Sequence, residues 1–114
     1  MRTLHLREDA ARNITQYGSR GFLLSPLLAG EISVHAVFVR LQAGAVIGRH
    51  PAASEQLLLV VDGEVLASGE EGEPERLGIG DAALWEAGET HETTSPQGAR
   101  ALIFEGDGIF WALR

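Results

Sequence analysis

Four histidines carry most of the chemistry that this chain of 114 residues could perform: His5, His35, His50 and His91. Cysteine is absent, which removes disulfides, thiolate zinc sites and cysteine nucleophiles. Any metal would have to rest on imidazole, carboxylate, amide oxygen or water. His50 raises the question most directly. In GAVIGRHPAASEQLLLVVDGEV (44–65) it follows the flexible Gly48, precedes Pro51 and is followed six residues later by Gln56. An imidazole placed so, at the rim of a strand, either ligates a metal or bonds a backbone group. His91 lies in WEAGETHETTS, where Glu86 or Glu89 could serve as a proton carrier if it flanks a cavity mouth. His5 and His35 read as surface or interface histidines. No Ser–His–Asp order or phosphate-cradling loop is present, and GIGDAA lacks the third glycine of a dinucleotide fingerprint and opens a strand.

The elements that must position these residues are short strands. Fourteen glycines punctuate the chain, and between them lie FLLSPLL, EISVHAVFVRL, SEQLLLVV, EVLAS, AALWEA and ARALIFE. Apolar runs of this length between turn signals predict an all-β sandwich or barrel. Asp62-Gly63 predicts a tight hairpin, because a type I′ turn needs residues that tolerate positive φ. In SGEEGEPERLGIGD, Pro74 excludes a central strand. REDAARN (7–13) is the one stretch that suits a helical turn. Period 2 puts Gln56, Leu58 and Val60 on one side of their strand and Leu57, Leu59 and Val61 on the other. Both sides are apolar, so the strand should be covered twice, as in a closed barrel whose outside is covered by a second sheet or a second subunit. In the preceding strand Val34, Ala36, Phe38 and Arg40 share one face, and His35, Val37, Val39 and Leu41 the other. A homodimer is the expected form.

Length and charge narrow the function classes. The chain has the size of one domain, 1–114, and can bury a core without staples. Nine Lys+Arg, all of them arginine, stand against 16 Asp+Glu, for a formal net charge of −7. A nucleic-acid partner is not expected of so acidic a chain. The N-terminal residues lack the apolar core of a secretory signal, and the longest apolar run, LLLVV, is far short of a membrane span. The expectation is a cytoplasmic protein with no membrane partner.

Over about residues 30–106 the chain resembles a small single-domain cupin, RmlC-like, and two motifs carry the resemblance. The first cupin pattern, G-x5-H-x-H-x3-4-E-x6-G, falls on Gly44 to Gly63: Gly44 and His50 match, Ala52 replaces the second histidine, and Gln56 stands for the glutamate. The second, G-x5-P-x-G-x2-H-x3-N, falls on GDAALWEAGETHETTS: Gly80, Gly88 and His91 match, Glu86 replaces the proline and Ser95 the asparagine. The resemblance implies a cupin-type double-stranded β-helix, that is, a jelly-roll barrel of two antiparallel sheets. It also implies that His50, Gln56 and His91 converge inside it as a depleted metal site for one divalent ion. Zn, Ni, Fe, Cu and Mn are not distinguishable with two imidazoles and one neutral amide oxygen as donors. Ala52 has no donor atom. Glu55 and Glu92 are one residue out of phase with the site and are not counted.

Around that site Arg40, Phe38, Trp85 and Phe104 are the candidate substrate-binding residues. Arg40 sits between apolar strand neighbours and needs a partner, either an anionic ligand or an acidic side chain. The aromatics either line the pocket or fill the core, as does Trp111. Three functions remain open: a metal-dependent enzyme of the dioxygenase, isomerase or lyase type acting on a small polar molecule, a metal-free small-ligand binder, and an interaction protein whose dimer surface matters. No catalytic residue is assigned.

Overall fold

The alternation in EQLLLVV sets the architecture. The computed structural model describes residues 1–113. The strand carrying this run, β6 (Gln56–Gly63), is the centre of a five-stranded antiparallel sheet. On one side it pairs with β9 (Asp81–Trp85), which in turn pairs with β1 (Arg2–His5). On the other it pairs with β11 (Ala99–Glu105), and β4 (His35–Leu41) forms the outer edge. A second, four-stranded sheet is ordered β5 (Ala45–Pro51), β10 (Thr90–Ser95), β7 (Val65–Ser68), β8 (Glu75–Leu77). A small hairpin of β2 (Arg12–Ile14) and β3 (Phe22–Leu24) lies between β1 and β4 in the chain, and α1 (Ile109–Ala112) follows β11. The all-β expectation is met, and the arrangement is the jelly roll implied by the motifs. Glu8–Ala10 forms the helical turn expected in REDAARN, as a 3-10 turn. REDAARN is not the one such stretch, however: Gln16–Gly18 forms a second 3-10 turn, and α1, among apolar residues of high strand propensity, is a third helical segment.

Two apolar layers explain why β6 is apolar on both faces. Between the sheets, Leu58, Val60, Val65, Ala67, Leu77, Ala83, Trp85 and Ala101 form one buried cluster. On the outer side of the five-stranded sheet, Leu57, Ala82, Leu84 and Ile109 form a second, with Leu27, Leu28, Phe104, Phe110 and Leu113 packed against it. The third layer over Leu57 is therefore built by the chain's own flanking segments. α1 is fastened there by the Phe110 N–H, which donates to Glu55 Oε1 at 3.0 Å, and by the Ala29 N–H, which donates to the Ala112 carbonyl at 2.9 Å. Each fully buried leucine contributes on the order of 2 kcal/mol by leaving water.

One turn differs from expectation. β6 and β7 do not pair with each other; they lie in different sheets. Asp62-Gly63 is not a hairpin but the corner at which the chain leaves one sheet for the other. Glycine is still required there, because Gly63 has φ +76° and a Cβ would stand 2.3 Å from the Gly98 carbonyl oxygen. The turn signal was real; tertiary packing chose what the turn connects. Pro74 behaves as expected, for the strand it precedes, β8, is an edge strand.

Candidate functional site

An edge strand, β5, its inner neighbour β10 and a bulge between them bring the motif histidines together. In the pairing of β10 with β5, His91 is opposite His50 and Thr93 opposite Ile47. Two steps along β10 thus match three along β5, so β5 carries one extra residue, a β-bulge at Gly48–Arg49. The extra residue puts Ile47 and His50 on the same face, where Ile47 packs against the core and His50 remains exposed. The His50 and His91 ring centroids are 4.5 Å apart, with planes inclined at 51°. His91 is 2 % exposed and also lies against the Trp85 ring, at 4.5 Å and 31°. Trp85 is fully buried and held by its Nε1–H, which donates to the Ser68 carbonyl at 3.2 Å.

Backbone carbonyls fix the tautomer of both imidazoles. His50 Nδ1 lies 2.6 Å from the Gly48 carbonyl oxygen, and His91 Nδ1 lies 3.1 Å from that of Glu89. A carbonyl only accepts, so each Nδ1 carries the proton and donates. In the neutral rings each Nε2 is then a lone pair, and among the described residues neither has a hydrogen-bond partner. Burial is the largest influence on His91 and lowers its pKa, and neighbouring His50 acts in the same direction, while the Glu89 carbonyl and the Glu89 and Glu105 charges oppose them. Its neutral form is the favoured one.

Gln56 reaches the same face from the other sheet. It pairs with Trp85 on β9 and with Glu105 on β11, and Glu105 pairs in turn with His35 on β4. His35, Glu105, Gln56 and Trp85 thus form one row across the inner face of the five-stranded sheet. Gln56 is 6 % exposed. Its Nε2 donates to Glu105 Oε1 at 2.8 Å. Because a carboxylate only accepts, this contact settles which end of the amide is nitrogen and leaves Oε1 turned away from Glu105. Ala52, at the second-histidine position, is buried and bonds only through its backbone, to Glu89 and Gly88. Among the described residues no three His, Asp or Glu side chains are grouped as a metal site. A third donor beside the two imidazoles would have to be the Gln56 amide oxygen.

The structure does not bring Arg40, Phe38 and Phe104 to the histidine pair. Arg40 and Phe38 occupy the outer face of β4, where the guanidinium stacks over the Phe38 ring at 5.0 Å. Among the described residues that ring is the partner of Arg40, and no carboxylate pairs with it. Phe104 packs in the outer apolar layer. The inner face of β4 is the other one, with His35, Val37 and Val39. Period 2 had sorted the two faces correctly, but nothing in β4 alone says which is inside. Of the four candidates only Trp85 borders the histidines. Trp111 is largely exposed.

Glu86 and Glu89 also serve elsewhere. They line a separate recess of about 390 Å³ with Glu70 and Glu71. Glu89 Oε1 accepts the Glu86 N–H at 3.1 Å, and Oε2 accepts from the Met1 ammonium at 2.6 Å. Burial pulls the Glu89 carboxyl up, but these bonds outweigh it and hold the pKa below the ordinary value, so the carboxylate is fixed by structure. Sequence reasoning missed Glu105 and the row position of His35. The signal was the alternation Ala99, Ala101, Ile103, Glu105, which places a carboxylate in line with small and apolar inward residues.

The family model of the cupin domain matches residues 37–105. The chain belongs to the cupin family. Among solved structures, this cupin is similar to an RmlC-like cupin from Shewanella frigidimarina, with 22% identity over 70% of this chain and 71% of that one and a TM-score of 0.61. It is similar to KdgF from Halomonas sp., with 26% identity over 71% of this chain and 77% of that one and a TM-score of 0.58. It is also similar to Bacillus subtilis oxalate decarboxylase, studied for its Mn(II) centres, with 21% identity over 68% of this cupin but 22% of that chain and a TM-score of 0.62. No curated protein matches it. No helix among the described residues is long and apolar enough to cross a membrane.

Proposed function

We propose that the barrel cavity binds one divalent metal ion through Nε2 of His50, Nε2 of His91 and Oε1 of Gln56, and that a small polar molecule takes the positions these donors leave open. One observation carries this reading: both imidazoles commit Nδ1–H to backbone carbonyls and present unpartnered Nε2 lone pairs side by side. Metal-binding histidines are oriented by just such a bond on the other ring nitrogen. The third donor is prepared in the same manner, since Glu105 holds the amide nitrogen and leaves the oxygen free. The Glu105 charge also compensates in part for an ion that would otherwise meet only neutral donors. A bound ion supplies Lewis-acid polarisation of an oxygen on the molecule beside it. The Mn(II) centres of the oxalate decarboxylase it resembles add support from the family.

A second reading, a metal-free binder, is favoured by Ala52, which offers no donor where the family pattern has a histidine, and by the uncharged Gln56. In that case the two imidazole nitrogens, the amide oxygen and Glu105 are acceptors for the hydroxyl or ammonium groups of a small ligand. Elemental analysis of protein purified without a histidine tag separates the two. The metal reading expects near-stoichiometric metal that disappears in His50→Ala and in His91→Ala. Protein that takes up none of Zn, Ni, Fe, Cu or Mn on addition is a metal-free binder.

A further inference from the structure

A second cavity, of about 500 Å³, lies at the other end of the chain's N-terminal segment, where β1 exits toward the 3-10 turn and faces the end of β3. It lies wholly outside the 37–105 region of the family match. Its apolar wall is made by Leu4, Leu6 and Pro26, and its polar lining includes Ser25, Arg7 and Arg12. No Asp or Glu lines it.

The two arginines are what give this cavity a chemistry. Five described arginines elsewhere in the chain have partners: Arg100 pairs with Asp62, Arg76 with Glu64, Arg49 bonds Ser68 and Gly69, and Arg2 and Arg40 stack on phenylalanine rings. Arg20, like Arg7 and Arg12, has none, but it lines neither this cavity nor the Glu89 recess. Arg7 and Arg12 make no ion pair or hydrogen bond among the described residues, in a chain that carries 16 acidic side chains against nine arginines. Asp81, whose carboxyl feels the Arg7 charge, is already occupied, accepting from His5 Nδ1 at 2.7 Å and from the Gly78 N–H at 2.9 Å. Two guanidinium groups without a hydrogen-bonding or ion-pair partner, lining a half-apolar recess, match a ligand with an anionic head and an apolar body, and the volume is in the range of small-molecule sites.

We infer that this cavity is a binding site for a small amphipathic anion, of the carboxylate class, with Arg7 and Arg12 holding the head group and Leu4, Leu6 and Pro26 the apolar body. The site is independent of the metal reading and does not use the barrel cavity.

The test is titration of the isotopically labelled full chain with octanoate, octanamide and acetate, followed by backbone amide shifts in NMR. Octanoate should give saturable shifts at Leu6, Ala10 and Ser25 and leave the amides of His50 and His91 unmoved. Octanamide, which lacks the charge, and acetate, which lacks the body, should each bind about tenfold or more weakly, the worth of one charge-assisted contact. The Arg7→Gln/Arg12→Gln double variant, whose changes are at exposed side chains, should keep the parent's spectrum and lose octanoate affinity by a similar factor. Absence of saturable shifts with octanoate, shifts confined to the barrel residues, or undiminished binding by the double variant would each overturn the inference.

Discussion

Gln56 and Glu105 lie directly opposite each other on β6 and β11, and the amide nitrogen of one donates to the carboxylate of the other at 2.8 Å. The family motif places a carboxylate at position 56. Here the carboxylate stands one strand over and orients the amide that occupies that position. Glu105→Gln should therefore weaken binding of Co(II) or Zn(II) about 10–100-fold, the usual cost of losing a group that orients a ligand. Competition against a chromophoric chelator measures this, and an unchanged affinity would mean the Gln56 amide needs no such support.

His91 supplies a pH dependence whose sign follows from its lowered pKa. Burial favours the neutral ring in the folded state, so the unfolded chain binds the proton first as pH falls through the ordinary value of 6.5. Metal-free protein should lose stability as pH drops below that point, by an amount that grows until the folded-state pKa is reached. His91→Gln should flatten this part of the curve. Urea denaturation midpoints at several pH values between neutral and mildly acidic read it out, and a parent curve as flat as the variant's would contradict the assignment.

The corner at Gly63 should be intolerant of side chains. Positive φ on a β-branched residue alone costs about 1–3 kcal/mol. Gly63→Val should reach at least the upper end of that range, because its Cβ would also collide with the Gly98 carbonyl. Chemical denaturation measures the loss. A variant as stable as the parent would show that the corner can rearrange.

The outer apolar layer should matter as much as the barrel interior. Ile109 is fully buried against Leu57 and Leu84, so Ile109→Ala should cost about 2–5 kcal/mol, as core truncations do. Leu58→Ala, between the sheets, should fall in the same range. If Ile109→Ala instead unfolds with the parent's midpoint, α1 is an ornament on the sheet and not part of its cover.

Much of this was legible in the residues. The glycine-and-histidine spacing located His50 and His91, and the structure pairs them across β5 and β10. Period 2 in β6 showed that both its faces are covered at Leu57 and Leu58, although the outer cover thins along the strand and Val61 is exposed. Three things were not legible, each for a physical reason. Alternation in β4 separates two faces without saying which looks inward, so Arg40 and Phe38 were assigned to the cavity although they lie outside it. Asp62-Gly63 announces a reversal of the chain, but whether the next strand pairs with its predecessor or joins the opposite sheet is decided by packing against Gly98. Glu105 is forty-nine residues from Gln56, and only strand register makes them neighbours.

The bulge in β5 gives His50 an unusual vulnerability. Its orientation toward His91 depends on a count of residues, not on the identity of any of them. Removing Gly48 alone would leave every donor atom in the chain and yet turn the imidazole to the opposite face of β5, away from His91, abolishing the pair while the barrel stays closed. Insertions and deletions at this point would thus act as an on–off control over the cavity's chemistry, separable from folding.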